Sequence, residues 1–317
     1  KHRKYFLASV FVVLFLGSSI VSLGALGFNS VPSTLTLQNL IDTEYTTVEN
    51  IIVEHTGPAA SYFITFSTGN SGSFLSRVME YRYFFFFIRE MEYQLVNDLS
   101  SRIVLKDLSY GSLSNEEVLT GSFTASESFQ TQVISFGAFV PEEQFPARGT
   151  YTDTIVVSLY EGTLDNYNPT AVETAQMQVR AVMPDYTKVA IVNTDDPFTP
   201  SGRSLIFSFG NLLWGETRTC DVVVRSNNAF NFNIVSENLG VMRHIDPGIN
   251  DSIGYDFIFD GQLLDLSGSG GANPTGWLSG STGYEGVRYP VDVVIHEFGQ
   301  VEAGTYQDNI TITVTSY

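Results

Sequence analysis

The sequence contains an internal repeat of a short strand-like segment. The seven residues GTYTDTI at 149–155 recur as GTYQDNI at 304–310, a shift of 155 residues. Both copies continue with alternating apolar and polar residues, the pattern of a β-strand with one buried face. Upstream, YQLVND at 93–98 has a partner in YDFIFD at 255–260, shifted by 162 residues. Two matches in the same order predict a duplicated β-domain, and the unequal shifts indicate loop insertions.

Both copies of the first repeat begin with Gly, Thr and Tyr. Gly permits a tight turn into the strand, and Tyr packs its ring while its hydroxyl reaches a hydrogen-bond partner. In immunoglobulin-like sandwiches a tyrosine near a late strand ties the connecting loop to the backbone in this way. The repeat therefore favours an all-β chain of two immunoglobulin-like β-sandwich domains in tandem.

The remaining sequence also favours strands. A length of 317 residues is long for one domain, and 13% aromatic with only 16% charged residues suits strands better than solvated helices. Pro184 interrupts any strand ladder, so we place the boundary there, between domains of residues 28–184 and 185–317. An additional alternating segment, 174–181, precedes the boundary and has no equivalent after the second repeat. Further strands are predicted at 50–54, 62–66, 132–136, 205–209, 220–224, 230–235 and 291–295.

Residues 1–27 are predicted to be a signal peptide. A basic start is followed by an apolar run at 5–16 that is short for a bilayer span, and Ala25-Leu26-Gly27 fits a small-x-small cleavage site. Gly24 offers a nearby alternative site, and a retained anchor is the other interpretation. We therefore expect export through the periplasm to the cell surface.

Charge and cysteine content exclude several classes. The net charge of −18 would repel phosphate backbones, so nucleic-acid binding is not expected. Cys220 is the only cysteine, so no disulfide can form within the chain, although an exported protein meets oxidising conditions. Stability must then come from packing.

Several segments resemble the spore coat protein U domain family, the subunits of archaic, Csu-type chaperone-usher pili. The similarity lies in AGTYQD at 303–308 through Tyr317, in 146–160, in LIFSFG at 205–210, in RSN at 225–227 and in YDF at 255–257. It covers most of residues 45–317. Members of the family often carry a disulfide, which this chain cannot form.

The resemblance implies a second domain that lacks its last strand. In such pilins the open groove is filled first by a periplasmic chaperone and then, after passage through an outer-membrane usher, by a β-strand of a neighbouring subunit. We expect the second domain to be incomplete, with Ile310, Ile312, Val314 and Tyr317 as the subunit-assembly residues. The first domain would be completed by its own segment 174–181. This is the layout of a two-domain tip adhesin that mediates attachment to abiotic or host surfaces and biofilm formation.

Besides a tip adhesin, two other functions remain open at this point: a shaft or coat subunit, and a secreted carbohydrate-binding protein or enzyme. Leu35 and Leu37 alternate near the predicted mature N-terminus, so 33–38 is either the first strand of the first domain or an outgoing donor strand. In the second case the protein is a shaft or coat subunit without a receptor. A secreted carbohydrate-binding protein or enzyme is the third interpretation.

The most apolar internal segment is 81–88, which contains the adhesive candidates. A strand formed from it would be bulky and hydrophobic on both faces. It is either buried beneath a covering loop or exposed as an adhesive surface, since large exposed apolar patches mark interaction sites. The candidate residues for adhesion are Tyr83, Phe84, Phe85, Phe86 and Phe87.

The sequence gives no catalytic or metal-binding motif, so we do not expect an enzyme, a cofactor or a metal. It contains no Gly-x-Ser-x-Gly, phosphate-binding glycine loop or Cys-x-x-Cys. His55, His244 and His296 are scattered, without metal-ligand spacing. The aspartates at 195–196 and at 246 and 251 match no EF-hand, and we interpret them as parts of solvated loops.

Overall fold

The computed structural model describes residues 26–83, 87–274 and 281–317. Most of the predicted leader lies outside these residues. Leu26 is buried in the first hydrophobic core, and Gly27 begins the first strand. Besides strands, the described residues contain two short 3-10 helices, Gly69–Ser71 and Leu108–Tyr110. Within the described ranges, no helix has the length and apolar character to span a bilayer.

The strands between residues 27 and 183 form one hydrogen-bonded network, the first sandwich. They are β1 (Gly27–Ser30), β2 (Thr34–Leu37), β3 (Tyr45–Gly57), β4 (Ala60–Phe66), β5 (Arg77–Tyr83), β6 (Phe87–Val96), β7 (Leu119–Phe123), β8 (Ser126–Val140), β9 (Gly149–Thr163), β10 (Asn166–Tyr167) and β11 (Glu173–Met183).

Neighbouring strands of the first sandwich run in the order β1-β3-β8-β6-β5-β9-β11-β2, with β4 and β10 also paired to β9 and β7 paired to β4. All these pairs are antiparallel except β2 with β11, which is parallel. The predicted strands at 50–54, 62–66, 132–136 and 174–181 lie within β3, β4, β8 and β11 and are confirmed. Leu35 and Leu37 of β2 are buried, so the segment 33–38 lies in the first sandwich, the first of the two interpretations.

The strands from residue 187 onward form the second sandwich. They are β12 (Thr187–Val192), β13 (Thr217–Ser226), β14 (Phe230–Ser236), β15 (Val241–His244), β16 (Ser252–Phe259), β17 (Gln262–Leu264), β18 (Val287–Ile295), β19 (Tyr306–Gln307) and β20 (Ile310–Ser316). One sheet has the order β12-β13-β18-β16-β15-β19, with β17 beside β16, and the other consists of β14 and β20. The predicted boundary at 184 falls between β11 and β12.

Alternating apolar residues build a separate core in each sandwich. In β9 the residues from Tyr151 to Leu159 that point inward are buried and those between them are exposed or partly buried, which is the period-two pattern of a strand with one covered face. The first core contains Tyr62, Phe66 and Ile155, whereas the second contains Phe232 and Phe259. The molecule is therefore all-β, as predicted.

A buried arginine links loops of the first sandwich. Arg77 is fully buried, and its guanidinium donates to the carbonyl oxygens of Ser67 at 3.0 Å and Leu105 at 2.6 Å and to Gln94 Oε1 at 3.1 Å. A buried guanidinium is tolerated only when its donors are satisfied, so this network fixes the surrounding loops. Burial lowers the pKa of Arg77 to about 10, so the side chain stays charged at neutral pH.

Candidate strand-accepting site

Within each sandwich, the tyrosine of one repeated segment contacts the aspartate of the other repeated segment. In the first sandwich the Tyr93 hydroxyl donates to Asp153 Oδ2 at 2.6 Å, and in the second the Tyr255 hydroxyl donates to Asp308 Oδ2 at 2.5 Å. Burial, followed by the nearby carboxylate, raises the pKa of both tyrosines, so both remain protonated donors. The duplication inferred from sequence is thus a duplication of side-chain contacts.

The same aspartates also hold a loop in each sandwich. Asp153 Oδ1 accepts a hydrogen bond from the Asn70 backbone N–H at 2.8 Å, and Asp308 Oδ1 accepts one from the Asn238 N–H at 2.9 Å. The two loops follow β4 and β14 respectively. This places β4 and β14 in equivalent positions beside the repeated strands β9 and β20.

The tyrosine of the Gly-Thr-Tyr repeat forms the predicted corner in both copies. Tyr151 donates to the Ala147 carbonyl at 2.6 Å, and Tyr306 donates to the Glu302 carbonyl at 2.8 Å. Burial raises the pKa of Tyr151 to about 12 and also raises that of Tyr306. In each case a strand entry is tied to backbone four residues upstream, as a sandwich corner requires.

In the first sandwich the repeated strand is covered from both sides. β9 pairs with β4 and with β11, the latter along its whole length from Gly149↔Met183 to Leu159↔Glu173. Its inward side chains Ile155, Val157 and Leu159 are completely buried. β11 is the segment 174–181 that the sequence indicated as a closing strand.

In the part of the second sandwich that the structure describes, the equivalent strand has a neighbour on one side only. β20 pairs with β14, and no other strand of the described residues pairs with it. Ile310, Ile312 and Val314, which correspond to Ile155, Val157 and Leu159, are only partly buried.

One row of backbone groups along β20 has no hydrogen-bond partner among the described residues. Asn309 C=O accepts from Glu237 N–H at 2.9 Å, and Tyr317 N–H donates to Ala229 C=O at 3.0 Å, so odd-numbered residues face β14. Because backbone groups alternate in direction along a strand, those of Ile310, Ile312 and Val314 point away from β14. This is an open sheet edge, which natural proteins normally cover or protect.

The prediction of a strand at 205–209 is wrong, for an informative reason. The segment pairs with no strand of the described residues, and Ile206 is 90% exposed while Phe207 and Phe209 pack against the second core. It lies between β12 and β13, as β2 lies between β1 and β3. β2 is a strand because it pairs with β11, and the second sandwich has no counterpart of β11 among its described strands.

These features outline a candidate strand-accepting site, which we call the groove. β12 contacts β20, and its partly buried Val189 and Ile191 add to the same core. The groove residues are Val189, Ile191, Phe207, Phe209, Ile310, Ile312 and Val314.

Three of the four predicted subunit-assembly residues belong to this candidate groove. Ile310, Ile312 and Val314 line it, but the backbone of Tyr317 bonds toward β14 and its side chain is 55% exposed. Phe207 and Phe209 were missed as groove residues because they were assigned to an ordinary strand. Phe207 and Phe209 are two residues apart, as are Leu35 and Leu37, and this shared spacing could have related the two segments.

The adhesive candidates cannot be placed as a group. Phe84, Phe85 and Phe86 lie outside the described residues, between β5 and β6, and nothing is described of the Tyr83 and Phe87 side chains. The backbones of Tyr83 and Phe87 pair with each other. Nearby, Ile88 is 47% exposed.

The three histidines make separate contacts and do not come together at one site. His55 Nε2 lies 2.6 Å from the Pro58 carbonyl oxygen, and His296 Nε2 lies 2.6 Å from Asp256 Oδ1. His244 stacks edge-on against Tyr306. In the part of the chain that the structure describes, no three His, Cys, Asp or Glu residues are grouped to hold a metal ion.

Comparisons with known proteins give matches among solved structures alone. No protein-family model and no curated protein matches the chain. The CsuC–CsuE chaperone–tip adhesion subunit pre-assembly complex from the archaic chaperone-usher Csu pili of Acinetobacter baumannii matches with 12% identity and a TM-score of 0.42, covering 92% of this chain and 100% of the other.

Two further matches have a similar extent. The CupB6 tip adhesin from Pseudomonas aeruginosa is 10% identical with a TM-score of 0.40, covering 92% of this chain and 94% of its own. CfaE, the adhesive subunit of CFA/I fimbria of enterotoxigenic Escherichia coli, is 10% identical with a TM-score of 0.33, covering 90% of this chain and 93% of its own.

Proposed function

We propose that this chain is a subunit of a surface pilus of the chaperone-usher type, joined to its neighbour through the groove of the second sandwich. The observation that supports this is the difference between the two repeated strands. Ile155 is completely buried beside β11, whereas Ile310, at the same place in the repeat, is partly exposed beside an open edge. A strand from another chain would bury these apolar side chains and pair the free backbone groups at once.

The proposed partners follow from this groove. Before assembly, an exposed apolar groove with an open edge invites aggregation, so a periplasmic chaperone would have to occupy it. After passage through an outer-membrane usher, a strand of the next subunit would replace the chaperone.

We further propose the tip position for this subunit. The first sandwich is closed by its own β11, and β2, the alternative outgoing strand, is buried against it with Leu35 and Leu37 in the core. Neither strand is therefore free to enter another subunit. A closed sandwich joined to one with an open groove suits the end of a fibre, where one domain is left to contact a surface.

Photocrosslinking tests the proposed assembly. A photoreactive residue at Thr311, on the exposed face of β20, should crosslink to a second polypeptide in assembled fibres. The matched control is Val156, which holds the equivalent place on β9 and is also exposed, but lies opposite Gln176 of β11. It should crosslink only within the chain. Absence of any intermolecular product from position 311 in surface-assembled protein would contradict the proposal.

We propose that attachment involves the apolar segment Tyr83 to Phe87. Replacing Phe85 and Phe87 with Ser should reduce adhesion to hydrophobic surfaces without changing the unfolding temperature. Ile88→Ser, at an exposed neighbouring position, separates loss of general surface hydrophobicity from loss of this segment. A lowered unfolding temperature for the double variant would support a buried structural role instead.

A further inference from the structure

We infer that the strand which completes the second sandwich has the side-chain pattern and register of β11, the strand that closes the first. This rests on the proposed function and specifies its partner: an extended segment with four alternating inward residues, of which one must be small. The internal repeat supports the inference, because β9 and β20 are equivalent strands and only β9 has β11 beside it.

The receiving surfaces match at each contact position. Tyr151, Asp153 and Ile155 of the first sandwich correspond to Tyr306, Asp308 and Ile310 of the second. Both tyrosines form the corner bond, and both aspartates accept from a buried tyrosine of the other repeat. A strand that fits one surface therefore meets the same chemistry on the other.

β11 shows which side chains such a strand carries. It runs antiparallel to β9 with Met177 opposite Ile155, Val179 opposite Asp153 and Ala181 opposite Tyr151. These three residues and Met183 are buried, whereas Gln176, Gln178 and Val182 on the opposite face are exposed.

Transferred by the repeat, the pattern gives a size for each position of the incoming strand. A flexible apolar residue should lie opposite Ile310, a β-branched one opposite Asp308 and a small one opposite Tyr306. The small residue is required because residues directly opposite in antiparallel strands project side by side from the same face, and the tyrosine ring fills that space. Ala181 meets this requirement beside Tyr151, which is completely buried.

The other edge of the incoming strand should recruit the segment 205–209. In the first sandwich β11 also pairs in parallel with β2, from Gln178↔Thr34 to Ala181↔Leu37. Phe207 and Phe209 have the spacing of Leu35 and Leu37 and already pack against the second core. The incoming strand should thus lie between β20 and 205–209, antiparallel to the first and parallel to the second.

The test is to extend the chain with its own closing strand. Residues 162–183 are appended after Ser316, the repeat equivalent of Glu161, so that β20 is followed by the connection and strand that follow β9. Cys220, buried at 4% exposure in the second core, reports opening of this sandwich through its rate of thiol labelling. We expect labelling to slow about 100-fold, equivalent to about 2.7 kcal/mol. Amide hydrogen exchange at 205–209 should slow as well.

Two variants of the extension test the size pattern. Ala181→Leu in the appended copy should abolish most of the protection, because it places a large side chain against Tyr306. Gln178→Leu makes a comparable change on the exposed face and should leave the protection intact. Equal protection by both extensions would overturn the size rule.

A disulfide reads the register directly. In a Cys220→Ala background, Cys at Asn309 should oxidise with Cys at the appended Gln178, because the equivalent pair Thr154 and Gln178 lie opposite each other. Gln178 N–H donates to Ser33 C=O, away from β9, which makes this the closely spaced, non-hydrogen-bonded kind of pair. Cys at the appended Gln176 should not pair with position 309.

The outcomes separate the two levels of the proposal. If no extension slows Cys220 labelling, the groove does not accept a strand and the proposed function fails. If the extension protects but the disulfide forms from the Gln176 position, strand acceptance stands and the inferred register is overturned.

Discussion

Truncating the same repeat residue in the two sandwiches should have very different costs. Ile155→Ala and Ile310→Ala remove the same atoms from equivalent strands, one completely buried beneath β11 and the other partly exposed at an open edge. The pair is matched for residue type, strand and local sequence. The difference between them therefore measures what the neighbouring strand contributes.

The magnitudes follow from burial. The three carbon groups removed from Ile155 are worth about 0.8 kcal/mol each on transfer, or about 2.4 kcal/mol. The cavity left in a closed core raises the cost to about 3 to 4 kcal/mol, within the usual range for such truncations. At Ile310 the side chain keeps contact with water and the groove is already open, so no closed cavity forms. We expect a loss of about 1 kcal/mol there, from the same transfer coefficient applied to a partly buried side chain.

Urea unfolding with two probes separates the sandwiches. Cys220 is buried in the second core, so thiol labelling follows that sandwich. Far-ultraviolet circular dichroism follows both. Ile155→Ala should shift the circular dichroism transition and leave labelling of Cys220 unchanged, whereas Ile310→Ala should produce a small change in labelling.

The strand-extended chain provides the decisive comparison. With residues 162–183 appended, Ile310→Ala should cost about as much as Ile155→Ala, about 3 to 4 kcal/mol, because the side chain then lies in a closed core. A cost this large in the chain without the extension would show that Ile310 is already covered. The interpretation of β20 as an open edge would then be refuted.

Three further predictions concern individual side chains. Tyr93→Phe and Tyr255→Phe should each destabilise only their own sandwich, by about 1 to 3 kcal/mol, because each removes a hydroxyl that donates to a carboxylate oxygen. The loss should be smaller for Tyr255→Phe, because Ser236 Oγ also donates to Asp308 Oδ2. Urea unfolding measures both losses, and equal effects on both sandwiches from either variant would contradict the prediction. Arg77→Met should cost the first sandwich about 3 kcal/mol or more by orphaning buried carbonyl oxygens, with no change in thiol labelling. Burial raises the pKa of Cys220 to about 12 from 9.0, so second-sandwich stability should fall from pH 9 upward by up to about 1.4 kcal/mol per pH unit; Cys220→Val should have a shallower slope.

Much of the fold could be predicted because the informative signals are local. In a strand such as β9 every second side chain faces the core and must be apolar, so the pattern is visible in the sequence. The repeated Tyr and Asp residues make the same hydrogen bonds in both sandwiches. The hydrogen bonds of Tyr93 and Tyr255 to Asp153 and Asp308 joined the two separate repeat matches into one arrangement.

The error at 205–209 shows where local signals end. The segment has the composition of a strand, but a strand exists only where backbone groups find a partner, and pairing is not written in one segment alone. The same limit applies to Tyr83 to Phe87, because a run that is apolar on both faces is compatible with a core and with a contact surface. The sequence shows that such a segment is hydrophobic, whereas the elements that pack against it determine how exposed it is.

The composition of β20 supports the proposal that its open edge pairs with a strand of another chain. Solvent-exposed edge strands are usually blunted by Lys, Pro, bulges or an inward charge, since an open edge otherwise pairs with other chains. β20 reads ITITVTS and contains no charged residue and no Pro, and its pairing with β14 runs without a register shift. Its exposed face is made of threonines, which favour strand pairing without protecting the edge. An edge that is apolar inside, uncharged outside and regular in register keeps every property that a paired central strand needs. The equivalent segment of β9, residues 155–160, also contains no charged residue and has a neighbouring strand on each side, which supports the proposal that the second neighbour of β20 comes from another chain.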